Sequence, residues 1–248
     1  MLKVSVLGSG NLGCHMVNLI NDSSEVELVQ WYSRSEINHE KIEVVNDIKN
    51  LKNAEIYIIC VSDDSISDLS NQLIFNDKLV VHTSGSTAYE SINNKNRRGV
   101  FYPLQSFSKT RKLNYSEIPI CIEAENDVDL NLLVDLCNKI GCGFHKINFE
   151  QRKNLHLAAV IINNFTNYLF SFSKKILSDQ NLNFDILKPL INETVDKIHK
   201  LDPSESQTGP ARRNDQNIID MHIKMLKDPE HQNLYKIISQ MIKSKYEN

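Results

Sequence analysis

The chain has 248 residues, 41% of them hydrophobic and 24% charged, with a formal net charge of -3 at pH 7. That is the composition of an ordinary globular protein, with room for one large domain or two modest ones. A slightly acidic chain has no general attraction for phosphate backbones or anionic lipid, so nucleic acid and membrane are poor partners.

The chain opens on "MLKVSVLGSG", which is too rich in strand residues and too short in its apolar run for a signal peptide. "KVSVLG" is a first strand, and "NLGCHMVNLIND" follows with helical spacing. "EVELVQWY", "KIEVV", "EIYIICVS" and "KLVVHTS" are four further strand-like runs, and "RGVFYPLQSF" and "IPICIEA" continue the sheet. "DVDLNLLVDLCNKIG" is an amphipathic helix stopped by Gly141, and "GFHKIN" is a last strand. Alternating strands and helices with continuous apolar strands imply an α/β domain, its mostly parallel sheet covered on both faces.

From about Phe149 the pattern becomes helical. "FEQRKNLHLAAVIINNFTNYLFSFSKKIL" reads as one long helix, and "NFDILKPLINETVDKIHKL" as a second in which Pro189 marks a bend at the second turn. "DPSESQTGPARRND" interrupts the pattern before two final helices. The expected organisation is residues 1–148 as an α/β domain and 149–248 as an all-helical domain. The apolar run "LAAVII" is far below membrane-spanning length. Cys14, Cys60, Cys121, Cys137 and Cys142 have no paired spacing, which fits a reducing, cytoplasmic setting and no structural metal. Asp63 and Asp64 lack a second carboxylate pair, so no metal site is expected there either.

The first strand runs into Gly8-Ser9-Gly10-Asn11-Leu12-Gly13, a Gly-x-Gly-x-x-Gly spacing that opens a helix. Gly8 permits the tight turn, Gly10 lets backbone approach a pyrophosphate, and Gly13 lets the helix pack against the sheet. This is a dinucleotide loop. An NAD site places an acid near the end of the second strand for the adenosine ribose. Here the strand "LVQWYSRSE" ends on Ser33 and Arg34, a hydroxyl and a guanidinium suited to a 2′-phosphate, which selects NADP (NADPH). Ligands bind beyond the carboxyl ends of such strands. Val61-Ser62, which end one later strand, leave room for the cofactor's ribose and diphosphate, and His82-Thr83-Ser84-Gly85, which end the next, are expected near the nicotinamide.

Taken in order, "GSGNLG", "HTSG", "YPLQSF", "NLHLAAVIINNF" and "TGPARRND" resemble the family of provisionally assigned NADP-dependent oxidoreductases with a C-terminal domain of unknown function 2520. The resemblance covers nearly the whole chain. The family is similar to pyrroline-5-carboxylate reductases and to 6-phosphogluconate and β-hydroxyacid dehydrogenases. It implies a Rossmann-type domain followed by an all-α domain like the 6-phosphogluconate dehydrogenase C-terminal one, and a homodimer through the helical part. It also implies cofactor contacts from Gly8, Gly10, Asn11, Leu12, Ser33 and Arg34. His156 stands where β-hydroxyacid dehydrogenases carry a catalytic lysine, and Asn164 where they carry an asparagine. Two positions depart from the family pattern: Tyr102 replaces a usual histidine in "YPLQSF", and Arg213 a usual glycine in "ARRND".

Reducing a carbonyl or imine needs a hydride and a proton donor. Imidazole is the side-chain type suited to the second role, so His156 is the candidate acid, with Tyr102 a hydrogen-bonding neighbour of the substrate. On ideal helix geometry Asn163 shares the face of His156 and Asn164 is turned away by about 80°; either could orient the substrate. Arg212 in the interrupting loop is a candidate for binding an anionic small substrate. His222 is expected to be a structural helix residue. The alternative is a dinucleotide-binding sensor or regulatory protein without turnover, since a fold does not fix a function.

Overall fold

The computed structural model describes residues 1–246. They include an eight-stranded sheet in the order β3-β2-β1-β4-β5-β6-β7-β8. The strands are β1 (Leu2–Leu7), β2 (Val26–Tyr32), β3 (Val44–Val45), β4 (Ile56–Ile59), β5 (Leu79–His82), β6 (Arg97–Pro103), β7 (Ile120–Ala124) and β8 (Phe144–Lys146). Every adjacent pair is parallel except β6 and β7. The central strands β4 and β5 are buried at every residue and β1 at all but Lys3, as parallel strands covered on both faces must be. Two apolar clusters flank the sheet. One is built around Val4, Val6, Met16, Ile58 and Phe101, the other around Leu7, Tyr57, Ile59 and Val80.

Helices α1 (Asn11–Asn21), α2 (Ile66–Gln72) and α3 (Asp127–Lys139) follow β1, β4 and β7. The α3 start is capped by Asn126, whose side chain accepts from the Asp129 amide at 2.9 Å. Two expected strands are shorter than their sequence suggests. "KIEVV" keeps only Val44–Val45, and β6 stops at Pro103, after which residues 104–119 form a loop. That loop is held over α1 by side chains. The His15 ring meets the Ser108 carbonyl and the Tyr115 hydroxyl, each at 2.9 Å, and Asn11 donates to the Phe107 carbonyl at 3.1 Å.

The chain divides into two compact units, Met1–Leu169 and Phe170–Asn248. The division falls inside the long helical stretch. Its first part, α4 (Phe149–Ala159), starts from a capping box made by Asn148 and Gln151 and stays with the sheet. A π-helical turn, Val160–Phe165, then leads into α5 (Thr166–Ser178). In the second unit come α6 (Lys188–Ile198), α7 (Gln216–Met225) and α8 (Pro229–Tyr246). Pro189 does not bend the expected helix. A short 3-10 turn, Phe184–Leu187, precedes α6, and Pro189 lies in the first turn of α6, where its missing amide costs nothing. Asp215 caps α7 by accepting from the Ile218 amide at 3.3 Å.

Among the described residues no helix is long and apolar enough to cross a membrane, and all five cysteines are free.

Candidate active site

The glycine loop follows β1 directly. Gly8 has φ +125°, and a Cβ there would collide with the Cys60 carbonyl, so no other residue fits this turn without strain. A Cβ on Gly13 would strike the Gly8 carbonyl, which explains why α1 packs so near the strand. Gly10 differs from both. A Cβ there would meet nothing within 4 Å, so the protein itself does not require the glycine. The open space above Gly10 suits a group that is not part of the chain, as a diphosphate-binding turn demands.

That space belongs to a cavity of about 510 Å³. Gly8 to Leu12 form its floor, Tyr32, Arg34 and Ser35 one wall, and Cys60 to Ser62 with α2 the other. Arg34 is exposed and enters no hydrogen bond or ion pair among the described residues. Ser33 plays a different part from the one expected. It is fully buried, its hydroxyl lies 2.8 Å from both the Ser9 hydroxyl and the Ser35 carbonyl, and it accepts from the Ser35 amide at 3.2 Å. It braces the turn while Ser35 lines the cavity. Ser35, Asp68 and Gln72 are lining residues that motif reasoning missed, because the glycine fingerprint carries no information about α2.

After β5, the side chains of His82, Thr83 and Ser84 are engaged within the loop. His82 is wholly buried. Its Nδ1 accepts from the Ser84 amide at 3.2 Å, and Nε2 lies 3.2 Å from the Ala88 carbonyl. Burial pushes its pKa down to about 4, so the ring is neutral. The Thr83 hydroxyl donates to the Ile59 carbonyl at 3.1 Å, and Ser84 accepts from the Ser86 and Thr87 amides. These residues shape the loop. What they leave to face outward is its backbone and Gly85.

Gly85 is where α4 approaches. A Cβ there would lie 2.6 Å from Nδ1 of His156 and 2.9 Å from the Tyr102 ring. Tyr102 is the last residue but one of β6, and its hydroxyl lies 3.1 Å from Nδ1 of His156, with the two rings edge to face. Burial raises the Tyr102 pKa, so the phenol keeps its proton. The sequence suggested both residues separately; the structure makes them a pair.

Behind this pair is Arg152, one helical turn before His156 and fully buried. It forms an ion pair with Glu123 on β7, donates to the Thr87 carbonyl at 2.6 Å, and lies over the Phe149 ring. One guanidinium thus fastens α4 to both β7 and the loop after β5. Nothing in the sequence distinguishes Arg152 from a surface arginine at a helix start, so it was missed.

A second cavity, of about 440 Å³, is lined by Tyr102, Gln105, Ser106, His156, Asn163 and Asn164 among others. Asn164 is therefore not turned away from His156, in contrast to ideal α-helical spacing. The π turn between them takes up one extra residue, so the eight-residue step from His156 to Asn164 acts like seven and returns within about 20° of the same face. Both asparagines line the cavity, with Asn163 Nδ2 3.4 Å from Asn164 Oδ1.

Arg212 lies in the second unit. It donates to the Gln207 and Glu205 carbonyls and sits over the Tyr246 ring. His222, in the same unit, meets the Tyr235 hydroxyl at 2.7 Å, as suits a structural helix residue.

Residues 118–242 match the family model of the domain of unknown function DUF2520. Among solved structures, the chain is similar to a Bacteroides fragilis protein provisionally described as an NADP oxidoreductase. The two are 34% identical, with 98% of each chain covered and a TM-score of 0.89. A Thermotoga maritima protein shares 23% identity over 98% of each chain, with a TM-score of 0.75. The pyrroline carboxylate reductase of Plasmodium falciparum, solved with NADP bound, has the same fold. It shows 15% identity, a TM-score of 0.57, and coverage of 99% of this chain and 98% of that one. No curated protein matches the chain.

Proposed function

Because the chain belongs to the DUF2520 family, with its Rossmann-like α/β domain and helical C-terminal region, we propose that it is an NADP(H)-dependent oxidoreductase reducing a small carbonyl or imine. The observation that carries this reading is the Tyr102–His156 pair seated on Gly85, on the loop that follows β5. NADP(H) is the cofactor that the residues fit. The space above Gly10 accepts a diphosphate, and Arg34 stands unpaired at the end of β2 for a 2′-phosphate.

When bound, NADPH supplies the hydride. The chain supplies the proton. In its protonated form, the His156 ring donates Nδ1–H to the Tyr102 oxygen, which fixes the ring's orientation. Nε2–H is then the acid: it passes its proton to the substrate's oxygen or nitrogen and leaves a neutral ring protonated on Nδ1. Asn163 and Asn164 hold the polar group of the substrate in the same cavity. Arg212 is the charge we assign to an anionic substrate. Its Nη1 is engaged with Gln207 and Glu205, which leaves Nε and Nη2 for a carboxylate. A pyrroline-carboxylate-like imine suits His156, Asn163 and Asn164. The working form is a homodimer through the helical unit, and five free cysteines suit the reducing cytoplasm.

The test mixes the protein with NADPH and a panel of cyclic imino acids and keto acids and follows the absorbance of the reduced nicotinamide. Oxidation with at least one compound is expected. Tight NADPH binding with no turnover on any member would favour the sensor or regulatory alternative.

A further inference from the structure

Arg152 and His156 stand one turn apart on α4, and each meets both a strand of the sheet and the loop after β5. For His156 the partners are Tyr102 on β6 and Gly85. For Arg152 they are Glu123 on β7 and Thr87. Strands β6 and β7 are antiparallel neighbours, with Tyr102 opposite Cys121 and Val100 opposite Glu123. Residues that lie opposite one another, or two apart along a strand, share a face, so Tyr102 and Glu123 rise from one face of the sheet. Thr87 is in turn joined to Ser84. Its amide donates to the Ser84 hydroxyl at 3.0 Å, and the two hydroxyls lie 2.9 Å apart. A guanidinium that holds Thr87 therefore also holds Gly85, which lies inside that closed turn.

This ion pair is a poor device for stability alone. Arg152 is wholly buried, and its Nε finds no hydrogen-bond partner among the described residues. Desolvation of a buried pair offsets much of its attraction, and apolar residues of similar volume are often as stabilising or more so. What an apolar contact lacks is direction. The planar guanidinium presents its two Nη groups as a fixed fork, one to the Glu123 carboxylate and the other to the Thr87 carbonyl at 2.6 Å. Glu123 also acts through its second oxygen, which accepts the Phe149 amide at 3.0 Å where α4 begins. One pair thus pins the start of the helix, its rotation about its own axis and the loop beside it.

We propose that Arg152 is a positioning residue: held by Glu123 and Thr87, it sets α4 and the loop so that the His156 ring meets the Tyr102 hydroxyl. Its bearing on catalysis rests on the reading of His156 as the proton donor. The test uses the isotope-labelled full chain and reads the imidazole nitrogen shifts of His156 above neutral pH, where imidazoles are uncharged. The His156 signals are those lost in His156→Gln, and Tyr102→Phe gives the spectrum of the ring without its partner. Arg152→Met combined with Glu123→Gln removes both charges together and keeps an amide oxygen for Phe149, so it should fold, as circular dichroism would show. Its His156 Nδ1 signal should move most of the way to that of Tyr102→Phe. Arg152→Lys keeps the charge without the fork. It should move the signal the same way, and it decides the matter should the double variant not fold. A native Nδ1 signal in a folded double variant, or in Arg152→Lys, overturns the proposal. Turnover is the second readout. On a compound of the imino-acid and keto-acid panel that the native protein reduces, kcat should fall about ten- to a hundredfold in Arg152→Lys, with KM within about threefold of native. An unchanged kcat beside a displaced ring overturns the catalytic consequence. If the native protein reduces none of the panel, the oxidoreductase reading fails, while the ring signals still decide what Arg152 does.

Discussion

The Tyr102 hydroxyl lies 3.1 Å from Nδ1 of His156, and a Cβ on Gly85 would occupy the ground on which these two rings meet. Only a glycine lets α4 bring an imidazole this close to the loop after β5. Gly85→Ala should therefore push His156 out of register while leaving the sheet beneath unchanged. A displacement on the order of 1 Å at a reacting group costs about a hundredfold in turnover. Turnover within about threefold of native would show that the contact has no catalytic weight.

His156 itself is the sharper probe. On the proposed mechanism His156→Ala removes the acid and should lower turnover by about two to four orders of magnitude. The cavity around the glycine loop, where the proposal places the dinucleotide, is lined by other residues, so NADPH affinity should hardly change. Full activity in the variant removes His156 from the mechanism. Loss of the folded state, read by circular dichroism, would instead assign it a packing role.

On the proposed reading, Arg34 sets the preference between the two cofactors. Loss of a charge-assisted contact to the 2′-phosphate costs on the order of 1.5–3 kcal/mol. Arg34→Ala should thus weaken NADPH by roughly ten- to a hundredfold and leave NADH nearly unchanged. Equal affinities of the native protein for the two dinucleotides would refute the preference.

The limits of sequence reading are visible in particular residues. Gly8 and Gly13 were legible because each answers a steric need that recurs at fixed spacing. The parallel strands were legible because both their faces are buried. Ser33 was read as a ligand contact, yet it is buried under the turn; its hydroxyl suits either role, and only the path of the chain decides. Asn164 was placed on the wrong face by ideal α-helical arithmetic, since "VIINNF" contains no mark of a π turn. Arg152 and Glu123 lie 29 positions apart, and no local pattern joins them. What remained hidden was the set of contacts between distant segments.

His82 ties stability to pH. The unfolded chain protonates it near 6.5, and the folded protein only at about 4, because the ring is buried neutral. Between those values the unfolded state binds more protons, so stability is full above pH 6.5 and declines as the pH falls toward about 4. The shift corresponds to about 3 kcal/mol at the acid end of that window. Urea unfolding of the native protein and of His82→Gln, followed from pH 7.5 to 4.5, should show the steeper acid loss in the native protein. Parallel profiles would mean that His82 titrates in the folded state as it does in the unfolded one.

The helical unit leaves large apolar side chains exposed on three of its helices. Leu190 and Ile198 on α6, Met221 and Met225 on α7, and Ile237 and Met241 on α8 are all exposed, Leu190 by 63%, Met225 by 67% and Met241 by 69%. The pairs on α7 and α8 are spaced four residues apart, so each forms a stripe along one helix face. Contiguous apolar patches beyond a few hundred Å² mark association surfaces. A closed two-fold dimer is the commonest way to cover such a surface with a second copy of itself. Light scattering at micromolar concentration should report twice the chain mass of 28.5 kDa. Met225→Glu with Met241→Glu should lower that mass toward one chain, because burying an unpaired carboxylate in an apolar interface costs several kcal/mol. A native mass of one chain would defeat the dimer outright, and an unchanged dimer in the double variant would place the interface on another face.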